Sequence, residues 1–243
     1  MMNTENSNKK SYNETEIVNY YTVFNAAGLF HYEEMLIEKY FKAEGRTLDI
    51  GCGAGRVTIP LYERGYQVTG MDYAEKMVAA AKALNGAIDY RVGNILSTSF
   101  EDKEFDNIIF SFNGLMLLES YDERLYAVKE VCRLLADDGK FIFTTPYLDN
   151  KVKKSYWSEK AETLGIDTGN MSWEQQLELG DEQLEDYGSE FYLHVPFVSE
   201  VEKMLEEAGM ELLFSARRLD YSGIEKMEDE LDDNYLWVAK CKK

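Results

Sequence analysis

Arg46-Thr47-Leu48-Asp49-Ile50-Gly51-Cys52-Gly53-Ala54-Gly55-Arg56 is the stretch that decides the fold. An apolar run, read as a strand over 46–50, enters a turn with glycine at every second position. A helix at about 55–64 follows. Glycine has no Cβ, so such a turn reaches positive φ cheaply and lets a ligand come close to the backbone. In open α/β sheets, ligands bind outside the carboxyl ends of the strands, where this turn would lie.

The next apolar run, Val68-Thr69-Gly70-Met71-Asp72, ends in a carboxylate. It stands about 20 residues beyond the first glycine, the spacing of an acid that accepts hydrogen bonds from ribose hydroxyls. The dinucleotide fingerprint is G-x-G-x-x-G. This chain reads G-x-G-x-G, and Arg56 occupies the place of the third glycine. Asp49, two residues before Gly51, would repel a pyrophosphate and attract an ammonium group. A nucleoside without phosphate and with a cationic amino-acid tail suits both departures, and S-adenosylmethionine is such a ligand.

The same residues resemble the class I S-adenosylmethionine-dependent methyltransferases of small-molecule type. Leu48-Asp49-Ile50-Gly51-Cys52-Gly53-Ala54-Gly55 matches that family's first motif, and Gly70-Met71-Asp72 its ribose acid. Phe105-Asp106-Asn107-Ile108-Ile109-Phe110 matches its fourth strand, and Leu134 to Phe141 the turn before its fifth. The likeness spans about residues 45–146 and resumes near 195–243. It implies an α/β, Rossmann-like three-layer sandwich, with a seven-stranded mostly parallel sheet and an antiparallel last strand. It also implies S-adenosyl-L-methionine as cofactor, S-adenosyl-L-homocysteine as product, and in-line methyl transfer to an N or O acceptor. That chemistry calls for no metal and no covalent nucleophile.

The order of elements agrees. Strands are expected at about 66–71, 87–92, 108–112, 140–144, 210–219 and 234–241. Helices are expected at about 74–83, 121–135 and 199–208, the last with Ser199 as N-cap and Gly209 as stop. The apolar run Ile108 to Phe112 suits a central strand covered on both faces. Residues 1–44 read as an N-terminal helical cap, polar and frayed over 1–14 and broken at Gly28. Residues 147–194 break the alternation and read as an inserted lid, partly helical or hairpin-like. The acidic stretch Glu225 to Asp233 reads as an exposed loop.

Composition sets bounds. The chain has 243 residues, 45% of them hydrophobic, and a net charge of −19. That charge disfavours nucleic acid as a partner, and the small basic cluster Lys151, Lys153 and Lys154 reads as a solvated loop. No apolar run is long enough to span a membrane, and the polar start lacks a signal core. A cytoplasmic monomer or homodimer is expected. The three cysteines, Cys52, Cys132 and Cys241, form no C-x-x-C and read as reduced.

The resemblance assigns site residues. Gly51, Cys52, Gly53 and Gly55 would line the cofactor, Asp49 would face its ammonium group, and Asp72 would hold the ribose. Tyr73, Asn94 and Ile95 would surround adenine. Ser111, with Phe112 and Asn113, would end strand four beneath the methyl group. Tyr20 and Tyr21 would close over the sulfonium, whose charge an aromatic ring attracts. His194, or less readily His31, would serve as general base. Plainer readings stand beside these: Asp49 and Asn94 as turn residues, Tyr20, Tyr21 and Tyr73 as packing or surface aromatics, and both histidines as structural. Asp106 reads as a turn carboxylate capping backbone amides. Tyr147, Tyr156, Trp157, Trp173, Phe191 and Tyr192 would give the lid either an aromatic acceptor pocket or a core of its own. Two other functions remain open: methylation of protein or tRNA, and a non-catalytic S-adenosylmethionine-binding regulator.

Overall fold

The structure is a computed structural model that describes residues 7–148, 154–186, 188–221 and 234–242. Its main sheet holds seven strands: β1 (Arg46–Ile50), β2 (Gln67–Asp72), β3 (Asp89–Val92), β4 (Phe105–Phe110), β5 (Leu135–Thr145), β8 (Met210–Arg217) and β9 (Tyr235–Cys241). Their order is β3-β2-β1-β4-β5-β9-β8, parallel from β3 to β5. Strand β9 then runs antiparallel to both of its neighbours. The order reverses between β1 and β4, which places a crevice at the ends of those two strands.

Successive side chains of a strand point to opposite faces, and β4 shows the result. Ile108 packs with Phe141, Phe143 and Trp237 against α6 (Tyr121–Leu134) and α9 (Val198–Glu207). Ile109 packs with Ile142 and Val238 against α3 (His31–Tyr40) and α4 (Thr58–Glu63). Both isoleucines are fully buried, and each stabilises the sandwich by roughly 1.5–3 kcal/mol. Helix α5 (Glu75–Leu84) seals the β2–β3 end with Val78 and Ala81.

Several boundaries moved. Strand β4 stops at Phe110, and Phe112 and Asn113 turn into the left-handed region, with φ of 53° and 64°. Helix α9 starts at Val198 after an extended Phe197, so Ser199 lies inside the first turn and caps nothing. Gly209, with φ of 73°, stops it. The turn at Asp137-Asp138-Gly139 lies within β5 as a bulge, between the pairs Phe105–Leu135 and Asn107–Lys140.

After β5 come α7 (Lys154–Leu164), α8 (Trp173–Gly180) and an antiparallel hairpin, β6 (Asp181–Asp186) with β7 (Ser189–His194). Leu148, Trp157, Ala161, Ile166, Leu179 and Val195 form a separate small core there. The stretch Glu225 to Asp233, Lys151 and Lys153, and the side chain of Lys154 lie outside the described residues. No helix among the described residues is long and apolar enough to cross a membrane.

Two expectations are overturned. Cys132 and Cys241 are joined as a disulfide, with Cα atoms 5.5 Å apart. They are 109 residues apart in the chain, and only the packing of α6 against the end of β9 brings them together. The start is also not frayed throughout: Ser7–Tyr12 form a helix, α1, docked on the edge of β7. Asn8 Nδ2 donates to the carbonyls of Tyr192 (2.9 Å) and Leu117 (3.1 Å), and its Oδ1 accepts from Tyr192 N (2.8 Å). Ser11 Oγ donates to Glu190 O (2.7 Å). These side chains pair an edge strand that would otherwise present open backbone groups. The helix α2 (Thr15–Phe24) follows, then a 3-10 turn and Gly28 at φ of 60°. Asn8→Ala strands the Tyr192 N–H, so it should cost about 1–3 kcal/mol in urea denaturation and speed hydrogen exchange at that amide. A loss under about 0.5 kcal/mol, the scale of a plain surface substitution, would show that the docking holds nothing.

Candidate cofactor site

A cleft of about 1070 Å³, counted out to its open mouth, lies where β1, β2 and β4 end. The glycine turn forms its floor, and the three glycines do different jobs. Gly53 has φ of 53°, and a Cβ there would meet nothing within 4 Å, so its surface opens on the cleft. Gly51 also lines the cleft. Gly55 does not: a Cβ there would sit 2.6 Å from the Tyr90 hydroxyl. Its glycine is required by packing, which corrects the expected role at the cofactor.

Asp72 ends β2 and is buried. Its Oδ2 accepts from Gly53 N (2.9 Å) and its Oδ1 from Ala74 N (2.8 Å). Burial pushes the carboxyl up to about 6, against the lowering effect of those amides. An ionised carboxylate has about four acceptor positions, so acceptor capacity remains for a hydroxyl donor. Asp49 lies beneath the turn and accepts from Thr58 Oγ1 (2.5 Å). Burial pushes it up to about 7, although Thr58 and Arg56 pull it down. The Asp49 carboxylate thus ties the end of β1 to α4 through Thr58 and lines the cleft wall.

Cys52, Tyr73, Asn94, Ile95 and Ser111 all line the cleft. The Cys52 thiol is buried and pushed well above its ordinary value by that burial, unsuited to act as a thiolate. Asn94 Oδ1 accepts from Leu96 N (2.9 Å) as the cap of a short 3-10 turn. Tyr21 lines the cleft and Tyr20 does not; Tyr20 stacks on Phe24 at its rim.

His194 is the chief correction. It is fully buried away from the cleft, with Nδ1 2.7 Å from Asp181 Oδ1 and Nε2 2.9 Å from Glu200 Oε1. Both ring nitrogens are engaged by carboxylates, so neither is open to a substrate. Burial raises the Asp181 carboxyl, and hydrogen bonds from His194 and Tyr192 outweigh it, leaving the group below its ordinary value. Arg124 lies 3.5 Å from Glu200 and closes the network. His31 sits exposed at the start of α3, beside Glu34.

Asp106 binds Arg46 N (3.1 Å) and Lys42 Nζ (2.9 Å) at the far end of β4. The insert's aromatics serve its framework. Trp157 is in the insert's own core, Trp173 packs on Tyr121, and Phe191 on Tyr12. None of the six lines the cleft.

Three contributors escaped the sequence reading. Tyr12, at the end of α1, lines the cleft. Arg56 and Glu33 form a buried bidentate pair, both bonds 2.7 Å. Arg56 also donates to Ser111 Oγ (3.2 Å) and Gly28 O (2.7 Å), and Ser111 donates to Glu33. The signal for Arg56 was its departure from the dinucleotide pattern. Glu33 was findable as the acid three residues after Phe30, whose N–H it caps at 2.8 Å.

Residues 48–143 match the model of a family described as a methyltransferase domain. An uncharacterized methyltransferase of Staphylococcus carnosus is 35% identical over 127 residues, covering 51% of this chain and 58% of that protein. A ubiquinone biosynthesis O-methyltransferase of Idiomarina loihiensis is 32% identical, covering 44% of each chain. The chain spans about half the length of the curated relatives it matches. Among solved structures, a SAM-dependent methyltransferase of Methanosarcina mazei superposes with a TM-score of 0.69 at 20% identity, over 89% of this chain and all of that one.

The site's residues fit S-adenosylmethionine: Gly53 leaves open space on the cleft floor, and Asp72 keeps acceptor capacity beyond its bonds to backbone amides. Both acids hold protons more tightly than usual, and an ammonium group or hydroxyl donor favours their ionised forms. Binding should therefore release protons, and affinity should fall as pH drops through 7 and 6. Titration calorimetry with S-adenosylhomocysteine should show at least a tenfold weaker complex at pH 5 than at pH 8. A flat profile would mean that neither carboxylate engages the ligand.

Proposed function

We propose that this chain is a class I, S-adenosylmethionine-dependent methyltransferase, a reading its methyltransferase-domain match supports, and that it moves a methyl group to an N or O atom of a small molecule. The observation that carries this reading is the Asp72 carboxylate. It is fixed by two backbone amides, with acceptor positions left over, beside a turn whose middle glycine opens on the cleft. S-adenosylmethionine supplies the activated methyl group on a sulfonium.

The chain's own residues bind, orient and exclude water. Asp72 would take the ribose hydroxyls and Asp49 the ammonium group, while Tyr73, Asn94 and Ile95 would enclose adenine. Tyr12, Tyr21 and Phe24 cover the cleft from the N-terminal helices. The Arg56–Glu33 pair positions the Ser111 hydroxyl at the end of β4. Holding two reactants in near-attack geometry can supply about 7–11 kcal/mol of a barrier, which suits a reaction whose electrophile is already activated. Residues 147–194, with residues 1–44, would serve as the acceptor-selecting cover. The surface charge of −19 favours a small acceptor over a polyanionic one.

Incubation with methyl-labelled S-adenosylmethionine and a metabolite extract should label a low-molecular-weight compound. Label found only in protein or RNA would overturn the small-molecule assignment, and binding with no transfer to any fraction would favour a regulator. Asp72→Ala should weaken S-adenosylhomocysteine at least tenfold, about 1.4 kcal/mol, while circular dichroism keeps its native shape. Unchanged affinity in a folded variant would remove the ribose role.

A further inference from the structure

We propose that the methyl acceptor is a flat aromatic or heteroaromatic ring, uncharged where it enters, and that it seats against Phe24 and Phe112 at the mouth of the cleft. The proposal rests on the methyltransferase reading and names the chemistry of its second substrate.

Phe24 and Phe112 line the same cleft as Asp72 and the glycine turn. Their ring centroids are 5.5 Å apart, at 51°. Two further rings extend this surface. Tyr20 stacks on Phe24 with planes 9° apart, and Phe30 stacks on Phe112 at 28°. The cluster is not sealed: Phe112 is 41% exposed, Tyr20 39%, and the neighbouring Val23 76%. An exposed apolar patch on the rim of a binding cleft marks a place where something else sits. Aromatic faces pair best with other flat rings, offset or edge-on.

The backbone argues the same way. Phe112 and Asn113 are consecutive non-glycine residues at positive φ, a conformation that costs energy for an L-residue and persists where the surroundings enforce it. Here Thr144 Oγ1 accepts from Asn113 N (3.0 Å), and Asn113 Nδ2 donates to Asn234 Oδ1 (3.2 Å). The strain turns a large ring towards solvent at the cleft's mouth. Burial would have been the ordinary use of a phenylalanine two residues beyond a central strand.

Charge narrows the class. Arg56 is the cation on the cleft wall, and it is committed: Glu33 takes it bidentately, and its guanidinium lies 4.3 Å from the Phe30 centroid. The pair presents no net charge to an acceptor. Ser111 Oγ remains as a polar anchor beside the rings, suited to an N–H or O–H on the acceptor's edge.

The test titrates the S-adenosylhomocysteine-loaded protein with 2-naphthol and with its saturated counterpart, decahydro-2-naphthol. The aromatic probe should bind at least tenfold tighter. In Phe24→Leu and Phe112→Leu, each still apolar, that ratio should collapse towards one, whatever happens to the absolute affinities. Equal affinity for the two probes, no detectable 2-naphthol binding, or an unchanged ratio in both variants would overturn the proposal. Should Phe112→Leu fail to fold, Phe24→Leu decides alone. Failure of S-adenosylhomocysteine itself to bind is a separate result: it overturns the cofactor reading, and the acceptor proposal with it.

Discussion

One buried carboxylate holds the site together. Asp72 ends β2, yet its hydrogen bonds go to Gly53 in the turn after β1 and to Ala74 at the start of α5. Three elements are thus set relative to each other by one side chain. Its desolvation is only partly offset by two amides, which is why its proton is held more tightly than an ordinary aspartate's. A stability-only design would hardly keep such a group. Its cost makes sense where a ligand completes its hydrogen bonding, and the open surface at Gly53 leaves room for that ligand.

Around this centre, polar clamps join the peripheral parts in addition to their apolar packing. Arg56, Glu33 and Ser111 tie α3, the glycine turn and the end of β4. Asn8 and Ser11 tie α1 to the β7 edge. Asp181, His194, Glu200 and Arg124 tie the inserted hairpin to α9 and α6. Buried ion pairs contribute little net stability, because desolvation offsets their attraction. They do penalise misplacement, since a buried charge parted from its partner is expensive. This suits elements that must return to one arrangement around a cleft.

What was legible in the sequence follows from this division. The strands, the parallel sheet they build and the glycine turn depend on local pattern: apolar runs, positive-φ glycines and an acid at a fixed spacing. Each of these is written in a few adjacent residues. The clamps depend on partners far apart in the chain, such as Asn8 with Tyr192 or Glu33 with Ser111. Residue types alone do not reveal such pairs. His194 looked like a base because histidines often are, but its function is set by Asp181 and Glu200. Cys132 and Cys241 looked unrelated for the same reason. Gly55 failed differently: the motif is real, but its third glycine answers to Tyr90 on β3, two strands away from β1, rather than to a ligand.

The position of the charges also bears on how the reaction can run. The carboxylates on the cleft wall, Asp49 and Asp72, belong to the glycine-turn end. Glu33 is buried behind the aromatic mouth, and Arg56, Ser111 and the Phe30 amide already occupy its oxygens. All four acceptor positions of that carboxylate are thus taken, so it offers none to a substrate. His194 is committed elsewhere. Under the proposed function, rate enhancement would then come mostly from alignment and from exclusion of water. The N-terminal helices, the strained end of β4 and the aromatic rim are the parts of this structure able to supply both.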